Sequence, residues 1–231
     1  MSPLITVACL DMAGTTVADE GSVLEAFEAA MRASGITPDG PDFAAADEIV
    51  RATMGQSKIE VFRRILGGEE RAQHANRAFE EAYAQSVRTG LVSPLPGAAE
   101  TIAALRAAGI KVCLATGFAP ATRNELLDAL GWRPLIDLAL SPADVGRGRP
   151  WPDLPLTALL RLGGGAVSEL LVVGDTPSDV ESGLRAGAGL VVGVTTGAAA
   201  EEDLVAAGAP HVLDSVTGLV QLLGIGAPSV G

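Results

Sequence analysis

Hydrophobic positions in this chain fall into two patterns, short unbroken runs and helically spaced stripes, and their alternation predicts the fold. Residues 4–10 form an almost wholly apolar run that suits a strand buried on both faces of a parallel sheet. From residue 17 to residue 92 no further buried-strand run occurs, and the pattern reads as helices throughout. Val23, Leu24, Phe27 and Met31 share one face over 22–34, which Gly35 ends. Helices over 43–53, 58–66 and 69–89 follow, with breaks at Met54-Gly55 and Gly67-Gly68. Beyond Pro94 the pattern alternates: helix 98–108, strand 111–116, helix 120–130, strand 135–140, helix 153–162, strand 170–174, helix 177–186 and strand 190–194. A helix over 201–207, a short strand 211–213 and a helix 216–223 complete the series, and 224–231 reads as a loose tail. Repeated βα units imply an α/β fold with a parallel sheet covered by helices on both faces. The expected division is an α/β core of residues 1–16 and 94–231, with an all-helical domain, 17–93, inserted directly after the first strand.

Composition narrows the class. With 231 residues, 48% of them apolar, the chain has room for one α/β domain and a smaller appendage. No apolar stretch reaches the roughly 20 residues of a membrane helix, and the first ten residues lack the basic start and cleavage site of a signal peptide. The expected location is therefore the cytoplasm. A net charge of −12 argues against nucleic acid and anionic membranes as partners, so an anionic ligand requires positive charge gathered locally. Cys9 and Cys113 lie in strand-like runs and are expected to pack as small hydrophobes. Of sixteen Lys and Arg residues only Lys58 and Lys111 are lysines; Lys111 opens a strand and is expected at the surface.

The first apolar run ends in Asp11-Met12-Ala13-Gly14-Thr15-Thr16. Ligands of open α/β sheets bind just beyond the carboxyl ends of the strands, where Asp11 would stand, and the Gly-Thr-Thr amides and hydroxyls can cup an anion. An Asp that merely caps a turn is the bland alternative. A second acid, Asp175, ends the run Val172-Val173-Gly174, followed by Thr176 as a helix cap, Pro177 as the first helical residue and Asp179 in the first turn. Asp179 suits the helix dipole on that ground alone. If the two strands are neighbours, Asp11 and Asp175 meet, and adjacent carboxylates repel unless a cation joins them; oxygen-only ligands near a phosphate point to Mg2+. Thr116-Gly117 at a third strand end can grip a phosphoryl oxygen, and Gly148-Arg149-Pro150 offers a planar cation suited to phosphate, with Arg147 as a competitor.

In this order the pieces resemble the haloacid dehalogenase superfamily, over nearly the whole chain. The resemblance implies a Rossmann-like three-layer core, a helical cap inserted after the first strand, and hydrolysis through an aspartyl phosphate. It assigns Asp11 as nucleophile and metal ligand, Thr15, Thr116, Gly117 and Arg149 to the phosphoryl group, and Asp11, Ala13, Asp175 and Asp179 to Mg2+. Two departures sharpen it. The usual second Asp, two residues after the nucleophile, donates a proton to an oxygen leaving group; here that position is Ala13, so ordinary ester hydrolysis is expected to be poor. Arg149 stands where Lys is usual. Both look like the phosphonoacetaldehyde hydrolase (phosphonatase) branch, which also carries a cap lysine behind a Met-Gly pair, matched by Met54-Gly55-Gln56-Ser57-Lys58, with Met54 and Gly55 expected to contact the substrate. That branch implies Lys58 condensing with the substrate aldehyde, attack of Asp11 on phosphorus and departure of an enamine. A free lysine is neutral in only about one molecule in 2,500 at pH 7, so cap closure is expected to desolvate Lys58 and lower its pKa.

The match is incomplete. Val61 stands where the branch typically has a histidine, and Phe118 where it often has Tyr. His74 is expected at the surface. A cap-bearing phosphatase acting on a small ester, and a phosphoanion-binding protein that has lost turnover, stand beside the phosphonatase reading; a lysine solvated at a helix start is the bland reading of Lys58. A homodimer joined through cap helices is expected from the branch.

Overall fold

Six parallel strands in the order β5-β4-β1-β6-β7-β8 form the central sheet of the computed structural model, which describes residues 4–18 and 21–225. They are β1 (Val7–Asp11), β4 (Lys111–Ala115), β5 (Leu138–Leu140), β6 (Leu170–Gly174), β7 (Leu190–Val194) and β8 (His211–Leu213). Helices α5 (Ala98–Ala107), α6 (Pro120–Ala129), α7 (Asp153–Arg161), α8 (Pro177–Ala186), α9 (Glu201–Ala206) and α10 (Leu219–Leu222) connect or follow them. All five residues of β1 and all five of β6 are buried, as strands covered on both faces must be.

The expected α/β class and parallel sheet are present; several boundaries differ. β1 starts at Val7, where its register with Lys111 and Leu170 begins, so Leu4 lies outside the sheet at 79% exposure although it is apolar. The strand expected over 135–140 is shorter. Residues 133–135 form a 3-10 turn containing Pro134, and pairing with β4 begins at Leu138. The last helix is divided into a 3-10 turn, Val216–Gly218, and α10. Of the expected tail, 226–231 lies outside the described residues.

Between the first two core strands lie α1 (Ser22–Ala33), α2 (Phe43–Ala52), α3 (Lys58–Leu66) and α4 (Glu69–Arg88). The region is not helical throughout: β2 (Val17–Ala18) and β3 (Ser93–Pro94) pair antiparallel at its two ends, so the chain leaves and re-enters the core side by side. Two-residue strands have no hydrophobic period to read. α4 packs along α1 and α3 around Phe27, Phe62 and Phe79, whose ring centroids are 4.8–6.1 Å apart. α3 starts after Ser57, in extended conformation, and stops at Gly67, in the left-handed region.

Candidate active site

β1 lies between β4 and β6, which places Asp11, Thr116 and Asp175 at or just beyond three adjacent strand ends, the switch point of the sheet. All three are buried. Arg149 reaches the same point. Its Nη1 is 2.7 Å from Asp11 Oδ1 and its Nε is 2.6 Å from Asp179 Oδ1, while Nη2 and Nη1 donate to the carbonyls of Ala115 and Gly55 at 3.1 and 3.3 Å. Arg147 is elsewhere, exposed, paired with Asp153 and stacked over Trp151. The arginine that the resemblance assigns is thus the one at the strand ends, and its competitor lies away from them.

Asp11 and Asp175 occupy a position that costs them charge. Burial pushes the Asp11 carboxyl well above the usual carboxylate range; Arg149 opposes this, while Asp179 and Asp175 add to it. Asp175 is pushed up to about 6 by burial and by Asp179, against hydrogen bonds from the Ala198 amide (2.8 Å) and the Thr15 hydroxyl (2.9 Å). The Thr15 hydroxyl therefore orients Asp175, and the Thr15 side chain is not part of the cavity wall. Asp179 forms a capping box with Thr176 at the start of α8 as well as the ion pair with Arg149, so its helix-terminal and site roles coexist. Gly14, at φ 85°, lies so close to Asp175 that an added Cβ would stand 2.5 Å from its carboxylate oxygen.

The helical insert supplies the opposite wall. Met54, Gly55 and Lys58 line the same 410 Å³ cavity as Asp11, Ala13, Thr116, Gly117, Arg149 and Asp175. Gly55, at φ 80°, lies against Thr176, whose hydroxyl a Cβ would overlap, and the Lys58 amide donates to the Gly117 carbonyl at 3.4 Å. The Lys58 side chain is 5% exposed. Its Nζ stands 5.3, 5.7 and 5.4 Å from the ring centres of Phe27, Phe79 and Phe118; these faces favour an ammonium, whereas burial disfavours it. Val61 is buried in the insert core and His74 is exposed. Cys9 and Cys113 are free, buried and opposite one another in β1 and β4.

Two contributors had no signal in the residue pattern. The loop after β7, Thr196-Gly197-Ala198, closes over Asp175: Ala198 donates to it, and Thr196 Oγ1 donates to the Gly14 carbonyl at 2.6 Å. Glu80 of α4 accepts from the Ala119 amide at 3.2 Å and from the Thr122 hydroxyl at the start of α6, tying insert to core beside Phe118. Only an acid at the end of a strand or helix invites attention in a sequence, and Glu80 lies in mid-helix among other acids.

A model of the haloacid dehalogenase-like hydrolase family matches residues 5–187. The chain belongs to that family. Among haloacid dehalogenase-like relatives, phosphonoacetaldehyde hydrolase of Bacillus cereus is 30% identical over 227 residues, 87% of this chain and 81% of that protein. A protein of Dickeya dadantii named Probable phosphatase IndB is 30% identical over 226 residues, 95% of this chain and 93% of its own. Two solved structures superpose with a TM-score of 0.82 each. One is a hydrolase from Pseudomonas syringae, 26% identical and covering 95% of this chain and 98% of its own. The other is a phosphonoacetaldehyde hydrolase-like protein from Oleispira antarctica, 28% identical and covering 96% and 92%. Among the described residues no helix is long and apolar enough to cross a membrane.

Proposed function

We propose that this haloacid dehalogenase-like hydrolase cleaves the C–P bond of phosphonoacetaldehyde or a related 2-oxoalkylphosphonate. The observation that carries the proposal is that Lys58 of the insert and Asp11 of the first strand line one cavity whose position 13 is an alanine. An ester leaves as an alkoxide and needs a proton donor at that point; a carbanion leaving group needs an electron sink. An iminium formed on Lys58 is such a sink. The names of the relatives from Bacillus cereus and Oleispira antarctica favour the same chemistry.

In this reading Arg149, the Thr116 hydroxyl and the Gly117 amide hold the phosphonate against Asp11. Lys58 condenses with the carbonyl and releases water. Asp11 then attacks phosphorus, the C–P electron pair passes into an enamine on Lys58, and an aspartyl phosphate remains. Protonation at carbon and two hydrolyses return the amine and the carboxylate. Phe27, Phe79 and Phe118 keep bulk water from the imine.

The donor set fits Mg2+: hard oxygens from Asp11, Asp175 and the Ala13 carbonyl, with Asp179 behind them. Among the described residues no three Asp, Glu, His or Cys side chains are gathered to hold a metal unaided, and Mg2+ usually takes only one or two carboxylates and completes its shell with substrate oxygens and water. When bound, the ion neutralises charge on the phosphoryl oxygens and keeps both buried carboxylates ionised.

A second reading, a phosphatase acting on a small ester, is favoured by the relative from Dickeya dadantii, named as a phosphatase and matched over nearly its full length. One assay separates the two. Mg2+-dependent release of acetaldehyde from phosphonoacetaldehyde by the wild type and not by Lys58→Arg supports C–P cleavage through Lys58. Phosphate release from esters that survives Lys58→Arg, without acetaldehyde, supports the phosphatase. Tight phosphate binding with turnover of neither class identifies a binding protein.

A further inference from the structure

We propose, resting on the C–P reading above, that the preferred substrate carries an apolar substituent on its carbonyl carbon, making it a longer 2-oxoalkylphosphonate and not the two-carbon aldehyde. The cavity shared by Asp11 and Lys58 measures 410 Å³, within the range of roughly 300–1,000 Å³ that accepts drug-sized ligands and far beyond the needs of a two-carbon phosphonate. Its charged side chains, among the described residues, are Asp11, Arg149 and Asp175 at the strand ends, and Lys58. These are the groups that the phosphonate, the metal and the carbonyl would use.

Threonines and glycine backbone apart, the remaining side chains of the wall are hydrocarbon, among them Ala18, Val23, Leu24, Met54, Leu95 and Phe118. Two threonine hydroxyls of the cavity, Thr176 and Thr196, donate within the protein, and the third, Thr116, is the one assigned above to the phosphonate. Thr116 Oγ1 accepts from the Phe118 amide, Thr176 Oγ1 donates to Asp179, and Thr196 Oγ1 donates to the Gly14 carbonyl. A carboxylate or hydroxyl on the substituent would lose its water against these side chains without a new partner, whereas an alkyl chain would gain by leaving water. The chemistry tolerates the change. A ketone condenses with Lys58 as an aldehyde does, losing one water; the C–P pair enters the enamine, carbon is protonated, and hydrolysis of the imine and of the aspartyl phosphate takes up two. Net, one water converts the 2-oxoalkylphosphonate into a methyl ketone and phosphate.

Phosphate release in Mg2+ from phosphonoacetaldehyde, 2-oxopropylphosphonate, 2-oxohexylphosphonate and 3-phosphonopyruvate tests this with the purified full chain. A methylene in an apolar pocket is worth roughly 10-fold or more in kcat/KM, so the 2-oxohexyl compound should exceed phosphonoacetaldehyde by at least about 100-fold, and the carboxylate-bearing phosphonopyruvate should be the poorest. Leu24→Asp should cut the ratio of 2-oxohexyl to phosphonoacetaldehyde turnover at least tenfold. Phosphonoacetaldehyde as the best substrate, with Lys58 required, overturns the apolar-substituent proposal and leaves the C–P reading intact. No phosphate from any of the four overturns both.

Discussion

Replacing Arg149 with Met removes the cation that two buried carboxylates share while keeping a side chain of similar length. Arg149 lies within 2.7 Å of Asp11 and 2.6 Å of Asp179, all three at most 7% exposed, so solvent screening does not soften the loss. Breaking a buried pair by removing one partner costs about 3–5 kcal/mol, because the other charge stays behind uncompensated. At about 2–4 °C per kcal/mol for a chain of this size, the midpoint of thermal unfolding should fall by roughly 6–20 °C. The loss should depend on pH. The Asp11 carboxyl already lies well above its unfolded value of about 3.9, and losing Arg149 raises it further. A carboxyl raised in the folded state destabilises most above its folded pKa, and the penalty vanishes as pH falls toward the unfolded value. Urea unfolding followed by circular dichroism at pH 5 and pH 8, with EDTA present, should therefore show the larger deficit at pH 8. Asp11→Asn in the same chain should recover part of it, but not the hydrogen bonds that the Ala115 and Gly55 carbonyls have lost. A deficit below about 1 kcal/mol, the same deficit at both pH values, or no recovery in the double variant would refute this account of the buried charges.

Three further outcomes follow from the same geometry. Gly55→Ala places a methyl group on the Thr176 hydroxyl at a positive φ, so the turn leading into α3 and Lys58 must shift; a displacement of about 1 Å should lower kcat on the phosphonate by about 100-fold, measured against urea stability to separate misplacement from unfolding. Ala13→Asp puts a proton donor on the cavity wall beside Asp11 and should raise hydrolysis of a phosphate ester such as 4-nitrophenyl phosphate by about 100-fold or more, without raising acetaldehyde release from the phosphonate. Burial raises the Glu80 carboxyl, so in the wild type its contribution to stability declines as pH climbs from about 4.3 through that raised value; Glu80→Gln should abolish that part of the pH dependence, read from unfolding midpoints across pH 4–7.

Much of the fold was legible because its signals are local. A strand buried on both faces must be an unbroken apolar run, and a helix that starts at Thr176-Pro177 and stops at Gly187 announces both ends in its own residues. The same locality explains where the reading failed. The apolar pattern includes Leu4, but pairing begins only where β4 and β6 reach, at Val7. β2 and β3 owe their existence to one another across more than seventy residues of intervening chain, and no spacing within either foretells it.

For the site the division falls in a similar place. The residue pattern presented the acids at two strand ends and the hydroxyl at a third, because each departs from what its own segment requires, while the missing acid at Ala13 and the lysine behind Met54-Gly55 became visible only through the resemblance. The resemblance chose Arg149 and left Arg147 as a competitor, since both flank Gly148; the packed chain puts Arg149 against Asp11 and Arg147 at the surface on Asp153. The sequence could not show that Thr15 serves Asp175, that the loop after β7 closes the same carboxylate, that Glu80 ties the insert to α6, or that Lys58 rests among three rings drawn from α1, α4 and the loop after β4. These facts depend on distance between segments far apart in the chain, and distance is set by how the sheet orders its strands and how the insert folds back over them.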